Sequence, residues 1–342
     1  MPNLRELSLV TFNLYNLNLP GKPMYRDYDG WTTEQYTKKI IWTANILKAA
    51  QADIFGFQEL WNLDALKEAF TLTGLDADYD LLSPPDHGGN KIVCAAAVRK
   101  GLLEGEPEWI TDFPDKFTLE SSGDDAQTPD ISVNIHSFSR PVLSFKVKIR
   151  EDRDPVSIFV SHFKSKAPTA VYREGWYRDD YDYYINHNEN LGATLSTIRR
   201  TAEACAMRMI IVDKTKGNDL PVIVIGDMND AQLSNTINIV TGQPRYLQGL
   251  STGGGDADLY SVATLQEYRS LRDVYYTHIH QDIRESLDHI LVSQEFYDNS
   301  KKRVWVFKEM QIFNDHLVDE DHKETGTSDH GVVKAIFKYK PA

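Results

Sequence analysis

The sequence predicts a mixed α/β fold, and three observations carry that expectation. Apolar, β-branched runs of strand length recur along the chain and end in polar residues; the clearest is Val222, Ile223, Val224 and Ile225, which leads through Gly226 to Asp227, Asn229 and Asp230. Leu191, Leu195, Ile198, Ala202, Cys205, Met209 and Val212 recur at alternating steps of four and three, the spacing of an amphipathic helix. Strand-like runs stand at both chain ends, which favours one continuous domain over residues 1–342.

The elements follow in order. Residues 7–13 (LSLVTFN) read as a strand ending at Asn13, and after a loop Thr32 and Gln35 match a capping box that opens a helix with Ile40, Ala44 and Leu47 inward. Residues 52–58 (ADIFGFQ) form a buried-type strand delivering Glu59, followed by a short helix with Leu63, Leu66 and Phe70 aligned and Gly74 as its C-terminal cap. Residues 92–98, 142–149 and 156–162 read as three more strands, while 104–139, mixing Pro, Asp and Ser, is expected to include irregular loop. Residues 164–190 are dense in tyrosine and acid and lack periodicity, as expected of an ordered surface insertion beside a strand end. The helix from Glu189 to Lys216 holds about three heptads between strands, so it is expected to lie on a sheet, not in a coiled coil. Gly217 and Asn218 stop it. Residues 253–258 are glycine-rich but lack the Lys-Ser/Thr of a phosphate-binding loop, and strands at 287–293, 304–307 and 332–337 complete the inventory.

Composition narrows the class. With 41% apolar and 25% charged residues the chain is an ordinary folded protein, and no stretch approaches the ~20 apolar residues of a transmembrane helix. The first residues carry neither the cationic start nor the apolar core of an export signal, so a cytoplasmic location is expected, with a processed secreted form as the alternative. Cys94 and Cys205 cannot build a disulfide framework and suit core packing, which permits a reducing compartment. A net charge of -13 argues against a general polyanion binder, yet permits a local basic groove.

The predicted strand ends present Asn13, Glu59, His162, Asp227 with Asn229, Asp288, and Asp329 with His330. Singly, each has an ordinary structural explanation: Asp and Asn bond local backbone after strands, and a lone His or Asn is usually a satisfied polar residue. Together they matter more, because a sheet sets its strand ends side by side. Oxygen ligands without a cysteine cluster point to a hard cation, Mg²⁺ or Mn²⁺.

Six motifs stand in order: FN at 12–13, FQEL at 57–60, HFKSK at 162–166, GDMND at 226–230, LDHILVS at 287–293 and SDHGVV at 328–333. With them the chain resembles the metal-dependent endonuclease/exonuclease/phosphatase superfamily, which includes DNase I-like nucleases, abasic-site endonucleases, inositol polyphosphate phosphatases and sphingomyelinases. The resemblance implies a four-layer α/β sandwich, two mostly antiparallel sheets flanked by helices. It also implies roles: Glu59 as main metal ligand assisted by Asn13 and Asp329, and Asp227 and Asn229 positioning the attacking water or the phosphate. His330, held by Asp288, would be general base or phosphate-polarising group, and His162 would contact the phosphate and protonate the leaving oxygen. Arg140, before Pro141, is expected to clamp a phosphate, with a plain surface arginine as the alternative. Lys164 and Lys166 are offered as phosphate contacts or solvated lysines, His289 as structural, and the tyrosines of the insertion chiefly as packing for one another, with base stacking as the alternative.

Departures from the family's branches shape the substrate expectation. Ser286, Leu287, Asp288 and His289 stand where inositol phosphatases resemble Trp-Cys-Asp-Arg, and His162 and His289 stand where abasic-site enzymes usually carry tyrosine. HFKSK, the Arg140 segment and LDHILVS look closest to bacterial nonspecific nucleases. The leading expectation is therefore an endonuclease acting on DNA or RNA, a sequence-tolerant nucleic-acid partner read through its phosphates. The alternative is a phosphoesterase for a small molecule or lipid headgroup. A noncatalytic scaffold is disfavoured because every matched position holds a competent side chain.

Overall fold

A computed structural model describes residues 3–25, 29–85, 87–123, 127–244, 246, 256–270 and 275–341. Two six-stranded sheets form its centre. In the first, the strands lie in the order Trp305–Phe313, Val332–Tyr339, Glu6–Leu17, Ile54–Leu60, Val93–Arg99, Tyr79–Leu82; in the second, Tyr260–Ser261, Asp288–Val292, Val222–Asp227, Val156–His162, Ser137–Val147, Leu103–Asp112. Neighbours are antiparallel except for one parallel pair in each sheet, Glu6–Leu17 with Ile54–Leu60 and Val156–His162 with Val222–Asp227. Each parallel pair needs a crossover, supplied by the helices Thr33–Ala50 and Asn188–Thr215.

The sheets pack face to face through Leu7, Leu9, Ile54, Val160, Ile223 and Ile225. They approach so closely at Gly56 that a Cβ there would lie 2.4 Å from Ile225 Cδ1. The outer face of the first sheet packs Phe55 and Phe57 against Leu47, Leu66 and Phe70 of the helices Thr33–Ala50 and Leu63–Thr73. That of the second packs Phe159, Val222 and Val224 against Met207 and Ile211 of the long helix. Because both faces of the central strands are covered, they read as continuous apolar runs, each large side chain stabilising the fold by ~1.5–3 kcal/mol. This is the expected four-layer sandwich. The capping box also forms, with Gln35 N–H donating to Thr32 Oγ1 at 3.2 Å and Thr32 N–H to Gln35 Oε1 at 3.0 Å.

Several expectations are corrected. The first strand runs past Asn13 to Leu17, and Ser137–Val147 begins early enough to place Arg140 and Pro141 inside a strand. The segment 104–139 does include irregular chain, at residues 113–119 and 133–136, but it opens with an unforeseen edge strand, Leu103–Asp112, paired on one side only. Its sequence, LEGEPEWITD, is charged and broken by Pro107, as edge strands are. The long helix turns a different face inward from the apolar stripe: Leu195 and Ile198 are 47% and 39% exposed, while Ser196, Arg200 and Glu203 are buried. The insertion after His162 folds into short turns of helix, Gly175–Asp179 and Tyr181–Tyr184, with Tyr177 buried and stacked on Tyr184 at 5.8 Å. Cys94 is buried and Cys205 half-buried. The glycine-rich residues 253–255 lie outside the described residues. No helix among the described residues is long and apolar enough to cross a membrane.

Candidate active site

The strand ends of both sheets meet at one edge of the sandwich around a pocket of about 480 Å³, lined by Glu59, Arg140, His162, Asp227, Asp329 and His330 among others. Glu59 closes its strand in a left-handed conformation, φ 60°, costly for a residue with a Cβ. Its Oε2 accepts Asn16 N–H at 3.0 Å. Asn16 is itself left-handed and held by two indoles, Trp31 Nε1–H donating to its carbonyl at 2.8 Å and Trp61 Nε1–H to its Oδ1 at 2.9 Å. The carboxylate is aimed by a locked turn.

From the facing sheet come His162 and Asp227, register partners at the ends of the parallel pair. His162 Nε2 lies 3.5 Å from Asp227 Oδ2 and 4.0 Å from Glu59 Oε1. Asp227 Oδ2 accepts from Asn13 Nδ2 at 3.1 Å and Oδ1 from Asn229 N–H at 2.8 Å. Asn13 Oδ1 in turn accepts Tyr15 N–H at 3.0 Å, so its amide bridges Asp227 and the turn behind Glu59. The Phe163 carbonyl collects Asn229 Nδ2–H at 3.0 Å and Arg140 Nη1–H at 3.1 Å. That contact turns Arg140 into the pocket wall.

His330 and Asp288 pair across the sheets: His330 Nδ1–H donates to Asp288 Oδ2 at 2.8 Å, leaving Nε2 facing Asp227 Oδ2 at 3.7 Å. Ser328 Oγ donates to the Asn13 carbonyl at 2.9 Å and accepts His330 N–H at 3.1 Å, fixing the segment that carries Asp329 and His330. Thus Asn13, Arg140, Glu59, His162, Asp227, Asn229, Asp288, Asp329 and His330, the nine expected site residues, gather at one end of the molecule. His289 points away, its Nε2 2.9 Å from the Asp230 carbonyl, as alternation requires. Lys166 pairs with Glu285 at 2.8 Å, and Lys164 Nζ donates to local oxygens of Ser165 and Ala167.

Burial and crowding set the protonation of the site. Burial raises Asp227 to about 7, against which the nearby His330 works. Glu59 is raised by burial and by the Asp329 charge. His162 is held well below the ordinary histidine value by burial and by Arg140 and His330, and is therefore neutral. Burial also works to lower His330, but Asp288 and Asp227 outweigh it and hold its pKa well above the ordinary value.

Sequence reasoning missed several supporting residues. Lys39 is fully buried behind the site, its Nζ–H donating to the Thr327 carbonyl at 2.8 Å; it precedes inward Thr43 by one helical turn, the one signal that would have found it. Burial lowers it to about 7. Glu203 accepts Ser139 N–H at 2.7 Å and Lys164 N–H at 2.6 Å, tying the Arg140 and His162 segments to the long helix. His278, on a small hairpin of His278–His280 with Ile283–Glu285, lines the pocket, and burial and His330 push it down to about 4. Nothing at a strand end announced it.

A four-layer sandwich with carboxylates, amides and imidazoles gathered at one sheet edge defines an enzyme of DNase I-like architecture. A family model described as "Endonuclease/Exonuclease/phosphatase family" matches residues 10–330, and the chain belongs to that family of hydrolases, whose members are generally dependent on divalent metals. Among solved structures, an endonuclease/exonuclease/phosphatase family protein from Bacteroides thetaiotaomicron is 15% identical with a TM-score of 0.54, covering 98% of each chain. A mannosyl-6-phosphatase of the same organism is 17% identical with a TM-score of 0.55, covering 97% of this chain and 100% of that one. Humanized D. rerio TDP2 is 14% identical with a TM-score of 0.55, covering 98% and 100%. These likenesses are of fold. No curated protein matches the chain in sequence.

The residues present fit a divalent cation. Glu59 and Asp329 are close enough to repel, Asp329 raising the Glu59 pKa, and a cation between them would relieve that repulsion.

Proposed function

We propose that this chain is a divalent-metal-dependent phosphoester hydrolase, with nucleic acid as its leading substrate. The observation that carries the reading is the convergence of Glu59, His162, Asp227 and His330 on one pocket from two different sheets. Glu59 and Asp329, assisted by Asn13, would hold Mg²⁺ or Mn²⁺, which when bound neutralises charge on the nonbridging phosphate oxygens. Asp227, at about 7, is half-ionised near neutrality and suits the base that takes a proton from the attacking water, with Asn229 orienting it. His330, kept charged by Asp288, directs its Nε2–H at a phosphate oxygen. His162 is neutral before substrate arrives, so it offers the leaving oxygen an N–H hydrogen bond in place of the imidazolium proton that the family resemblance suggests. Arg140 supplies a further positive charge to the pocket wall.

Nucleic acid is supported by the family and by a structural neighbour, a D. rerio TDP2 described in complex with a single-strand DNA product. A second reading, a small phosphoester, is favoured by the pocket volume of about 480 Å³, in the range of small-molecule sites, and by the net charge of -13. Plasmid DNA, RNA, phosphomonoesters and choline phospholipids, each incubated with Mg²⁺ or Mn²⁺, separate the two. Nicking of plasmid supports the first, turnover of small esters alone the second, and turnover of none sinks the hydrolase reading. Glu59→Ala is expected to weaken ion binding, whereas His330→Ala is expected to abolish turnover while the ion held by Glu59 remains. Equal activity of either variant with the parent refutes its role.

A further inference from the structure

We propose that His278 extends this site into a second cation position, formed with Asp329 and His330 and selective for borderline divalent ions such as Mn²⁺, Co²⁺ or Zn²⁺ over Mg²⁺. The inference rests on the hydrolase reading and adds to it a nitrogen-rich position that the expected oxygen ligands do not contain.

Backbone geometry holds His278 in place. It forms an isolated β-bridge with His330, and the flanking Gly331 N–H donates to the Thr277 carbonyl at 2.7 Å. The Thr277 hydroxyl accepts from Leu287 N–H at 2.9 Å and Asp288 N–H at 3.2 Å, so the same short segment is referenced to both members of the His330–Asp288 pair. The two imidazoles lie with ring centroids 5.0 Å apart, tilted by 44° to one another. One ligand atom each from His278, Asp329 and His330 lies within 4.8 Å of the other two. An ion about 2.0–2.2 Å from each of three tetrahedral ligand atoms sets those atoms about 3.3–3.6 Å apart, so binding would draw the set together, with the half-buried His278 side chain as the member free to turn.

The chemistry of the set is distinct from that of Glu59. His330 donates its Nδ1–H to Asp288, so an ion at this position would displace the Nε2 proton to solvent and take Nε2 as its ligand atom, the carboxylate–histidine–metal arrangement common at metal centres. Two imidazoles and one carboxylate suit borderline cations, whereas Mg²⁺ prefers an all-oxygen shell. The other close group, Asp227, Asp288 and His330, is fully buried, with Asp288 on the far nitrogen of His330. A cation on His330 Nε2 would present to a phosphate the positive charge that the imidazolium otherwise presents. Asp329 would be shared with the ion at Glu59.

Cobalt tests this without any turnover. Full-length protein, freed of metal, is titrated with Co²⁺ while bound metal is counted and the visible ligand-field bands are recorded, for the parent, His278→Gln, His278→Cys and Glu59→Gln. The expected result is two ions in the parent, one in His278→Gln with the histidine-dependent bands lost, and at least about tenfold weaker binding of the second ion. His278→Cys is expected to restore the ion with a new thiolate band, which shows that the hairpin still folds. Identical stoichiometry and spectra in the parent and His278→Gln overturn the proposal. Glu59→Gln is expected to keep the histidine-dependent bands and lose one ion; if it loses none, the assignment of Glu59 as a ligand fails while that of His278 stands.

Discussion

Gly226→Ala tests how the site depends on the contact between two strands. Gly226 has φ 150°, and a Cβ built on it lies 1.9 Å from the Ser161 carbonyl oxygen. Reaching an ordinary contact of 3.4 Å requires the neighbouring backbone to move by about 1.5 Å, the difference between those distances. Gly226 and Ser161 are register partners, and the next residue on each strand is Asp227 and His162, so the displacement falls on two site residues at once. Overpacking costs ~1–3 kcal/mol. The disfavoured φ adds ~1–3 kcal/mol. Together, ~2–6 kcal/mol is a large part of the ~5–15 kcal/mol that holds a typical domain folded. Misplacing reacting groups by ~1 Å lowers a rate ~100-fold. Urea unfolding reads the first effect, and kcat/KM on bis(p-nitrophenyl) phosphate with saturating Mn²⁺ reads the second. Gly88→Ala, where an added Cβ meets nothing within 4 Å, is the control and is expected to match the parent in both. A Gly226→Ala protein with parental stability and rate would refute the claim that this strand contact sets the geometry of His162 and Asp227.

Two further perturbations probe the groups that hold the site together. Asp227 has its folded pKa raised from 3.8 to about 7 by burial, so the native state binds the proton more tightly than the unfolded chain does. Its contribution to metal-free stability is therefore complete below the ordinary carboxylate pKa and is lost as pH rises through about 7. Urea midpoints measured against pH in EDTA should fall over that window, and Asp227→Asn should flatten the fall; an unchanged slope would refute the assignment. Glu203→Ala removes the buried carboxylate that accepts the part-buried Ser139 N–H and Lys164 N–H, at ~1–3 kcal/mol for each charge-assisted bond lost. Urea unfolding is expected to show a loss of ~2–6 kcal/mol, with a lower kcat/KM because the Arg140 and His162 segments lose a common anchor. A loss below ~0.5 kcal/mol would show that the tether does not matter.

What the sequence disclosed, and what it hid, follows from the physics of burial. The central strands were legible because helices cover both sheets, so that residues such as Val222 to Ile225 have no solvent face to interrupt the apolar run. The edge strand Leu103–Asp112 was not, because an edge pairs on one side and is kept soluble by charge, which imitates a loop. The long helix was legible as a helix but not in its orientation. Ser196, Arg200 and Glu203 face inward because they bond the carbonyls, carboxylate and amides of the site loops: Ser196 Oγ donates to the Ala167 carbonyl at 2.8 Å, and Arg200 Nε–H to Asp230 Oδ2 at 3.3 Å. An apolar count ranks such residues as surface. Eight of the nine expected site residues were legible as candidates because each sits at the end of a strand or in a motif beside one, and Arg140, inside a strand, was legible through its place before Pro141. His278 stands on a hairpin away from these ends, and Asn16 acts through its backbone N–H, which no side-chain pattern announces.

The division of the site between the sheets explains why so few of its residues are informative alone. The first sheet and the loops at its edge bring Asn13, Glu59, Asp329 and His330; the second brings His162, Asp227 and Asp288. The decisive contacts, Asn13 to Asp227 and His330 to Asp288, run between them. Burial raises Asp227, with lesser help from Asp288 of its own sheet and Glu59 of the other, while His330 works against it; because that burial exists only once both sheets are packed, the raised pKa belongs to the assembled sandwich, not to its own strand. The apolar core between the sheets therefore does chemical as well as structural work. It brings a carboxylate that is easily protonated near neutrality within reach of one neutral and one charged imidazole. No single strand end, however rich in acid and amide, can produce that combination.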